Sequence, residues 1–534
     1  MSGAAAAAPG IPQPAAAAAA PRITHHPLLG VAAVLVGAFI STINVRVTTV
    51  GLSDIRGGLS LGFDEGSWFS TMFAATQLLL CASAGWLSVL LGPRRLLLWA
   101  STTFCIASLL PPLTRDPGLL LAIQLVRGFA LGAFIPSTVG FIVQNLAPRW
   151  WIWGFAAYAF RFVFSQNIST AIEAFYGERG LWAWIFWQNT GLTAVMIALI
   201  WFGMPRQPIN RTMLRAGDWP GIVYIGLGLT LLYAGLDQGN RLDWLNSGVV
   251  VGLLAAGGLL IVAFIVREAL AAEPLFHFPV MRQPHVWVPA VMIAMYGLGG
   301  SATSFVLPDY LTRVQGLRSL QAADVVNWIA LPQIVLVPLV ALLLRRVDAR
   351  LMLAIGFALI AVGSWMDTGL THDWANDDFL PSQLVEAIGL AVGITALVFF
   401  ALANITPAQA TTSAGLIQAS RLLGGEIGSA FIQTFVRVRE QIASNLIGQN
   451  VAHGDPQTAQ ASARLAQLFA GRVGDATGQS LLMLGNLVRR EAYVIAYIDA
   501  FWIVAWVLLA SLLLLLLLKP PPPNHLTRPL VPGA

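Results

Sequence analysis

Long apolar runs alternate with short polar breaks almost from one end of the chain to the other. Fourteen runs fall near residues 28–50, 67–91, 95–113, 117–143, 152–176, 181–203, 217–236, 246–267, 286–307, 324–344, 349–370, 380–404, 412–436 and 494–518. A hydrocarbon core of ~30 Å takes roughly 20 apolar residues as a helix. In lipid only helices or closed barrels satisfy all their backbone hydrogen bonds. The pattern therefore predicts an all-α polytopic membrane protein with fourteen transmembrane helices. Turn and charge residues punctuate it, as at Gly92-Pro93-Arg94-Arg95, Arg115-Asp116-Pro117, Pro148-Arg149, Pro205-Arg206 and Arg345-Arg346. One break is long: residues 437–493 are polar, and the Ala/Leu/Arg/Gln-rich stretch Thr458–Ala470 suits helix. A loop of that length serves either as a docking element or as a tether.

Composition narrows the class. The chain of 534 residues is 57% hydrophobic and 10% charged, against ~25% charged in ordinary soluble domains. The net charge of +5 comes from arginines in short loops, Lys519 being the one lysine, and is no nucleic-acid signal. With an even number of spans, one set of loops carries Arg94, Arg95, Arg149, Arg206, Arg211, Arg215, Arg267, Arg282, Arg345, Arg346 and Arg350. The opposite short loops carry Arg56, Arg115, Arg179, Arg241, Arg313 and Arg318. Eleven arginines against six place both termini in the cytoplasm, with the chain in the inner membrane. Residues 1–27 read as an Ala/Pro-rich disordered tail and 519–534 as a second cytoplasmic tail. The start lacks the basic region and cleavage site of a signal peptide.

Other chemistries find little support. Cys81 and Cys105 lie inside apolar runs, and the histidines have no metal-ligand spacing. No phosphate-binding loop is present, nor a nucleophile–base constellation. We therefore expect neither an enzyme nor a bound cofactor or metal.

Charges inside the spans are the candidates for function, because each costs at least ~2.5–3.5 kcal/mol to insert at mid-bilayer. Arg127 lies near the middle of the fourth span. It cannot carry a coupling proton, but it can orient a carboxylate or an anionic substrate, or simply pack. Glu173 lies towards the outer end of the fifth span, with Gln166 on the same face. Arg46 is at similar depth in the first span, so pairing of Arg46 with Glu173 is one expectation and separate snorkelling the other. Arg161, Asn167, Gln124 and Gln188 make this half rich in amides and arginine. In the second half Glu386 sits in the twelfth span and Glu426 near the centre of the thirteenth, while Gln418 and Arg421 share a face. Desolvation favours a neutral carboxyl, so a buried glutamate suits proton loading and release. Glu426 is the first candidate, then Glu386 and Glu173. Gly424 and Gly428 follow the small-xxx-small spacing that lets helices approach closely.

Several segments carry a resemblance. These are Gly85-Trp86-Leu87 with Gly92-Pro93-Arg94-Arg95, then Gly128-Phe129-Ala130-Leu131-Gly132 with Ile135-Pro136. Leu236-Asp237, Gly239 and Leu242-Asp243-Trp244 follow, and then Arg421 through Ser429. In this order the chain from 28 to 518 resembles the major facilitator superfamily, and within it the fourteen-span drug:proton antiporters of the EmrB/QacA type. The resemblance implies a six-helix bundle over 28–203, two inserted helices over 204–285, and a second six-helix bundle over 286–518 that carries the long periplasmic loop. It implies a central cavity or gate to which Asn44, Arg46, Gln124, Arg127, Arg161, Gln166, Gln418 and Arg421 are candidates. Gly85, Gly92, Arg94 and Arg95 would form the gating loop. It also implies export of small amphipathic compounds against protons, and possible partnership with a periplasmic adaptor and an outer-membrane channel.

The chain departs from that pattern at three places. Asn44 stands where the family carries Asp. Gln124 and Arg127 have exchanged places. Ser169-Thr170-Ala171-Ile172-Glu173-Ala174 replaces a Gly/Pro antiporter signature. Two alternatives follow: a transporter of the same fold for a specific anionic metabolite without proton coupling, and a non-transporting sensor or scaffold.

Overall fold

The computed structural model describes residues 26–518 except 148–149, 212–213, 215–216, 272–283, 404–409, 453–455 and 470–475. Beyond His26 and Pro27, both expected tails lie outside these residues, as do Arg149, Arg215 and Arg282.

A helix forms at each of the fourteen apolar runs. The first six are α1 (Pro27–Val50), α2 (Phe63–Leu91), α3 (Pro93–Leu109), α4 (Pro117–Asn145), α5 (Trp151–Glu178) and α6 (Trp184–Gly203). Two more, α7 (Trp219–Gly239) and α8 (Gly248–Leu270), precede the last six. These are α9 (Val286–Arg313), α10 (Gln321–Leu343), α11 (Ala349–Met366), α12 (Leu380–Ala403), α13 (Ala410–Ala452) and α14 (Ala476–Ser511).

Local chemistry sets several boundaries. Asp116 caps α4 by accepting from the Leu119 amide at 2.8 Å, with Pro117 in the first turn. Asp218 caps α7 through the Gly221 amide at 3.1 Å. Gly92 turns the chain between α2 and α3 at φ +82°, a region that costs any other residue strain. Pro289 sits inside α9 and Pro338 inside α10, each removing a backbone donor, and α10 turns at Leu331-Pro332. A π-helical turn, Ala302–Val306, lies inside α9.

Twelve helices among the described residues are long and apolar enough to cross a membrane. The two expected spans outside that number fall on α5 and α13. Both helices face into the protein: α5 packs on α1, α10 and α12, and α13 packs on α2, α4, α9 and α14. A helix shielded from lipid on most sides can carry Arg161, Glu173, Arg421 and Glu426, which lowers its hydropathy.

Two bundles result. In the first, α1 packs on α5 and α6, α3 on α6, and α2 on α4; in the second, α9 packs on α13, α11 on α12, and α14 on α11 and α13. The α9–α13 contact is close because glycines make it so. A Cβ on Gly424 would stand 2.3 Å from the Ala294 Cβ, and one on Gly428 would stand 2.8 Å from the Leu298 Cα. The bundles meet along α5 against α10 and α12, and along α2 and α4 against α13. Of the inserted pair, α7 packs on α2 and α13, whereas α8 packs on α7 and leaves Leu259 71% exposed, as suits a lipid-facing surface.

The polar segment 437–493 is mostly helix rather than loop. α13 continues sixteen residues past 436 to Ala452, about 24 Å at 1.5 Å per residue. Pro456–Phe469 then forms a helix packed on α14, which starts at Ala476. Ion pairs hold the extension: Arg439 with Asp499, and Arg489 with Glu440 at 3.6 Å. Arg437 reaches Asp243 between α7 and α8 at 3.3 Å. Hydrogen bonds from Asn246 and Arg437 hold the Asp243 carboxyl below the usual range. Polarity placed this segment outside the membrane. It could not show that the two flanking spans run on as one helical hairpin.

Candidate functional site

Where the two bundles and α7 meet, a cavity of about 200 Å³ opens. Four acidic or basic side chains line it: Arg46 from α1, Asp237 from α7, and Arg421 and Glu426 from α13. Phe162 and Gln166 from α5, Tyr233 from α7 and Ser304 from α9 complete its walls. Arg46 reaches across from the first bundle and donates to the Ser304 carbonyl in the second. Arg421 donates from Nε to Gln418 Oε1 at 3.0 Å and lies over the Phe162 ring, 4.7 Å from its centroid. Asp237 accepts from the Thr71 hydroxyl and from Gln238 Nε2 at 3.3 Å. The Tyr233 hydroxyl lies beside the Glu426 carboxylate. Among the described residues none of the four charged groups forms an ion pair.

Away from the cavity, α2 and α13 approach closely. A Cβ on Gly415 of α13 would touch the carbonyl oxygens of Cys81 and Ala82 on α2, at 3.2 and 3.4 Å. The cavity wall instead includes Thr49 near the end of α1, Asp237 near the end of α7 and Gln433 late in α13. It therefore lies in the half of the spans nearest the helical hairpin.

Other candidates lie elsewhere. Arg127 and Gln124 are fully buried within the first bundle, not on the cavity wall. Arg127 donates from Nε to Ser108 Oγ at 3.2 Å, and its terminal nitrogens donate to Gln124 Oε1 and to Asn44 Oδ1, the latter at 3.4 Å. Three aromatic faces, Phe73, Phe104 and Phe186, stand 5.0–5.5 Å from the guanidinium carbon. Asn44 pairs with Asn189 through two amide hydrogen bonds of 2.7 and 2.5 Å. Arg161 sits one layer behind the cavity: it stacks on Tyr158 and donates at 2.5 Å to the hydroxyl of Thr42, which does line the cavity.

The expected Arg46–Glu173 pair does not form. Glu173 turns to the short helix Leu52–Leu59 between α1 and α2, where its carboxyl and that of Asp54 converge on Gly177. Arg46 is already engaged with Ser304. A double-mutant cycle checks this separation: Arg46→Gln and Glu173→Gln are expected to show a coupling within the ~0.3–0.5 kcal/mol of independent sites, read from melting temperature in detergent. A coupling several times larger would restore the pair.

Glu386 is buried in the second bundle. It accepts from Thr303 at 2.7 Å and Ser364 at 3.0 Å, and buried Asp367 lies close by. Thr303, on the π-helical turn, also borders a small cavity beside the main one. Arg94 of the expected gating loop is buried and donates at 3.0 Å to the Trp201 carbonyl in the last turn of α6, which anchors the α2–α3 turn to the first bundle. Gly85 is buried in α2 and Arg95 is exposed.

Tyr233 and Asp237 were missed as site residues. The apolar run was read as ending at 236, which left Asp237 in a loop; α7 continues to Gly239. The signal was present, since Asp237 is seven residues from Thr230 and shares a helical face with it and Tyr233.

This helical fold has parallels in known proteins. The human organic anion transporter MFSD10 superposes with a TM-score of 0.54 at 12% identity, covering 90% of this chain and 99% of that one. The multidrug export protein EmrB of Escherichia coli K12 is 21% identical over 90% of this chain and 93% of its own. The fatty acid resistance protein FarB of Neisseria gonorrhoeae is 21% identical over 87% and 90%. Residues 34–429, which run from α1 through the cavity face of α13, match the Major Facilitator Superfamily, and the chain belongs to that superfamily.

Proposed function

We propose that the protein is a secondary active exporter of small amphipathic compounds, driven by proton exchange across the inner membrane. The observation that carries this reading is the cavity between the bundles, with Arg46, Arg421, Asp237 and Glu426 on its walls and no ion pair among them. Unpaired charges at membrane depth are costly and belong to substrate or ion pathways, and sites at the interface of two bundles suit alternating access. Similarity to the multidrug export protein EmrB supports export. The eleven-to-six arginine bias supports cytoplasmic termini. In that orientation the cavity faces outward and the helical hairpin stands in the periplasm, where an adaptor leading to an outer-membrane channel would meet it.

Glu426 is the proposed coupling group, because it lies on the cavity wall where both proton and substrate can reach it. A second reading, a transporter of an anionic metabolite without proton coupling, draws on Arg46 and Arg421 in the cavity and Arg161 behind it. Proteoliposomes with an imposed pH gradient separate the two. Proton-coupled export predicts accumulation of an amphipathic dye or drug that a protonophore abolishes. Uptake of an organic anion that is indifferent to the gradient would establish the second reading instead.

A further inference from the structure

The cavity carries both signs of charge, and they are set apart. Asp237 and Glu426 share the wall where α7 meets α13, with Tyr233 between them. Arg421 lies five residues before Glu426 on the same helix, about 7.5 Å deeper along its axis. Arg46 enters from α1 opposite.

Among the described residues each of these groups is held in place without an ion pair. Neutral donors, Thr71 and Gln238, fix the Asp237 carboxylate, and Gln238 is itself fixed by Arg241 Nε at 2.6 Å. Gln418 and the Phe162 face fix Arg421. A ligand with one charge would satisfy one wall and leave the other desolvated and unpaired. A ligand with both would compensate both. Phe162 and Tyr233 offer apolar faces for the body between them.

We propose that this cavity selects amphoteric compounds, binding an ammonium group at Asp237 and Glu426 and an acid group at Arg421 and Arg46. The inserted helix α7 is then part of the binding wall rather than a spacer, since it supplies Asp237. This inference names the substrate class of the export reading and rests on it.

The test uses the full-length protein in lipid nanodiscs and three matched probes. Ampicillin carries an amine and a carboxylate; pivampicillin, its ester, keeps the amine alone; benzylpenicillin keeps the carboxylate alone. Binding is read by tryptophan fluorescence. Wild type is expected to bind ampicillin about tenfold tighter than either of the others. Asp237→Asn is expected to weaken ampicillin and pivampicillin by about tenfold and leave benzylpenicillin unchanged, and Arg421→Gln to do the converse with benzylpenicillin. Asp237→Glu should retain the preference, and its melting temperature beside that of Asp237→Asn guards against misfolding. Equal affinity for the three probes, no binding of ampicillin, or an equal loss of all three in Asp237→Asn overturns the proposal. Proton-driven dye export in proteoliposomes would survive that failure, so the two readings fall separately.

Discussion

Arg127→Ala is expected to destabilise the protein more than any substitution on the cavity wall, by roughly 4 kcal/mol or more, and to leave little folded protein after extraction in detergent. The guanidinium fills the centre of the first bundle. Removing it takes donors from Ser108, Gln124 and Asn44 and empties the space between Phe73, Phe104 and Phe186. No carboxylate balances the charge among the described residues, so the amide oxygens, hydroxyl and aromatic faces do. Arg127→Met separates packing from function. It restores much of the volume but no donors, so the melting temperature should still fall, by less than in Arg127→Ala. Transport per folded molecule should stay within about twofold of wild type, because Arg127 does not face the cavity. A stable Arg127→Met protein that no longer transports would show that the arginine acts in gating.

The contrast between Arg127 and Asp237 shows what was legible in the sequence. A helix lies at each of the fourteen apolar runs, twelve of them among the described residues apolar enough to cross a membrane, and cost singled out the charges inside them. Neither hydropathy nor cost says which way a side chain faces, since that depends on which helices are neighbours. Arg127 was expected near a cavity or gate and is enclosed by α2, α3 and α6 through Phe73, Phe104 and Phe186. At position 44, where the resemblance implied an acid, Asn44 closes an amide pair with Asn189 from α6. Its amide nitrogen donates to Asn189 Oδ1 and to the Ile40 carbonyl, bonds an ionised carboxylate could not make, while its oxygen accepts from Asn189 and Arg127. Arg46 and Glu173 matched in depth but belong to different sides of the first bundle. Depth is readable from position in a span; azimuth around the bundle is not. Arg421, Gln418 and Glu426 were placed more closely because they share one helix, on which spacing alone fixes relative position.

Glu426→Gln is expected to lower proton-driven export by about a hundredfold, some 2.7 kcal/mol in the limiting barrier, while exchange of labelled for unlabelled substrate across the membrane persists. Glutamine keeps the shape and can still meet the Tyr233 hydroxyl, but it neither takes up nor releases a proton. The sign of the pH effect follows. A carboxylate that must be loaded from one side and emptied to the other gives a transport rate that varies with the pH on each side; an amide in its place gives a flat profile. Glu386→Gln is the control. Glu386 touches the cavity region only through Thr303 and is otherwise held by Ser364 beside Asp367, so its loss should act mainly on stability and leave the pH profile sloped. If the profile stays sloped in Glu426→Gln and turns flat in Glu386→Gln, the proton travels through the second bundle behind the π-helical turn of α9. Glu426 would then belong to the substrate alone, as a partner of Asp237 for the bound cationic group.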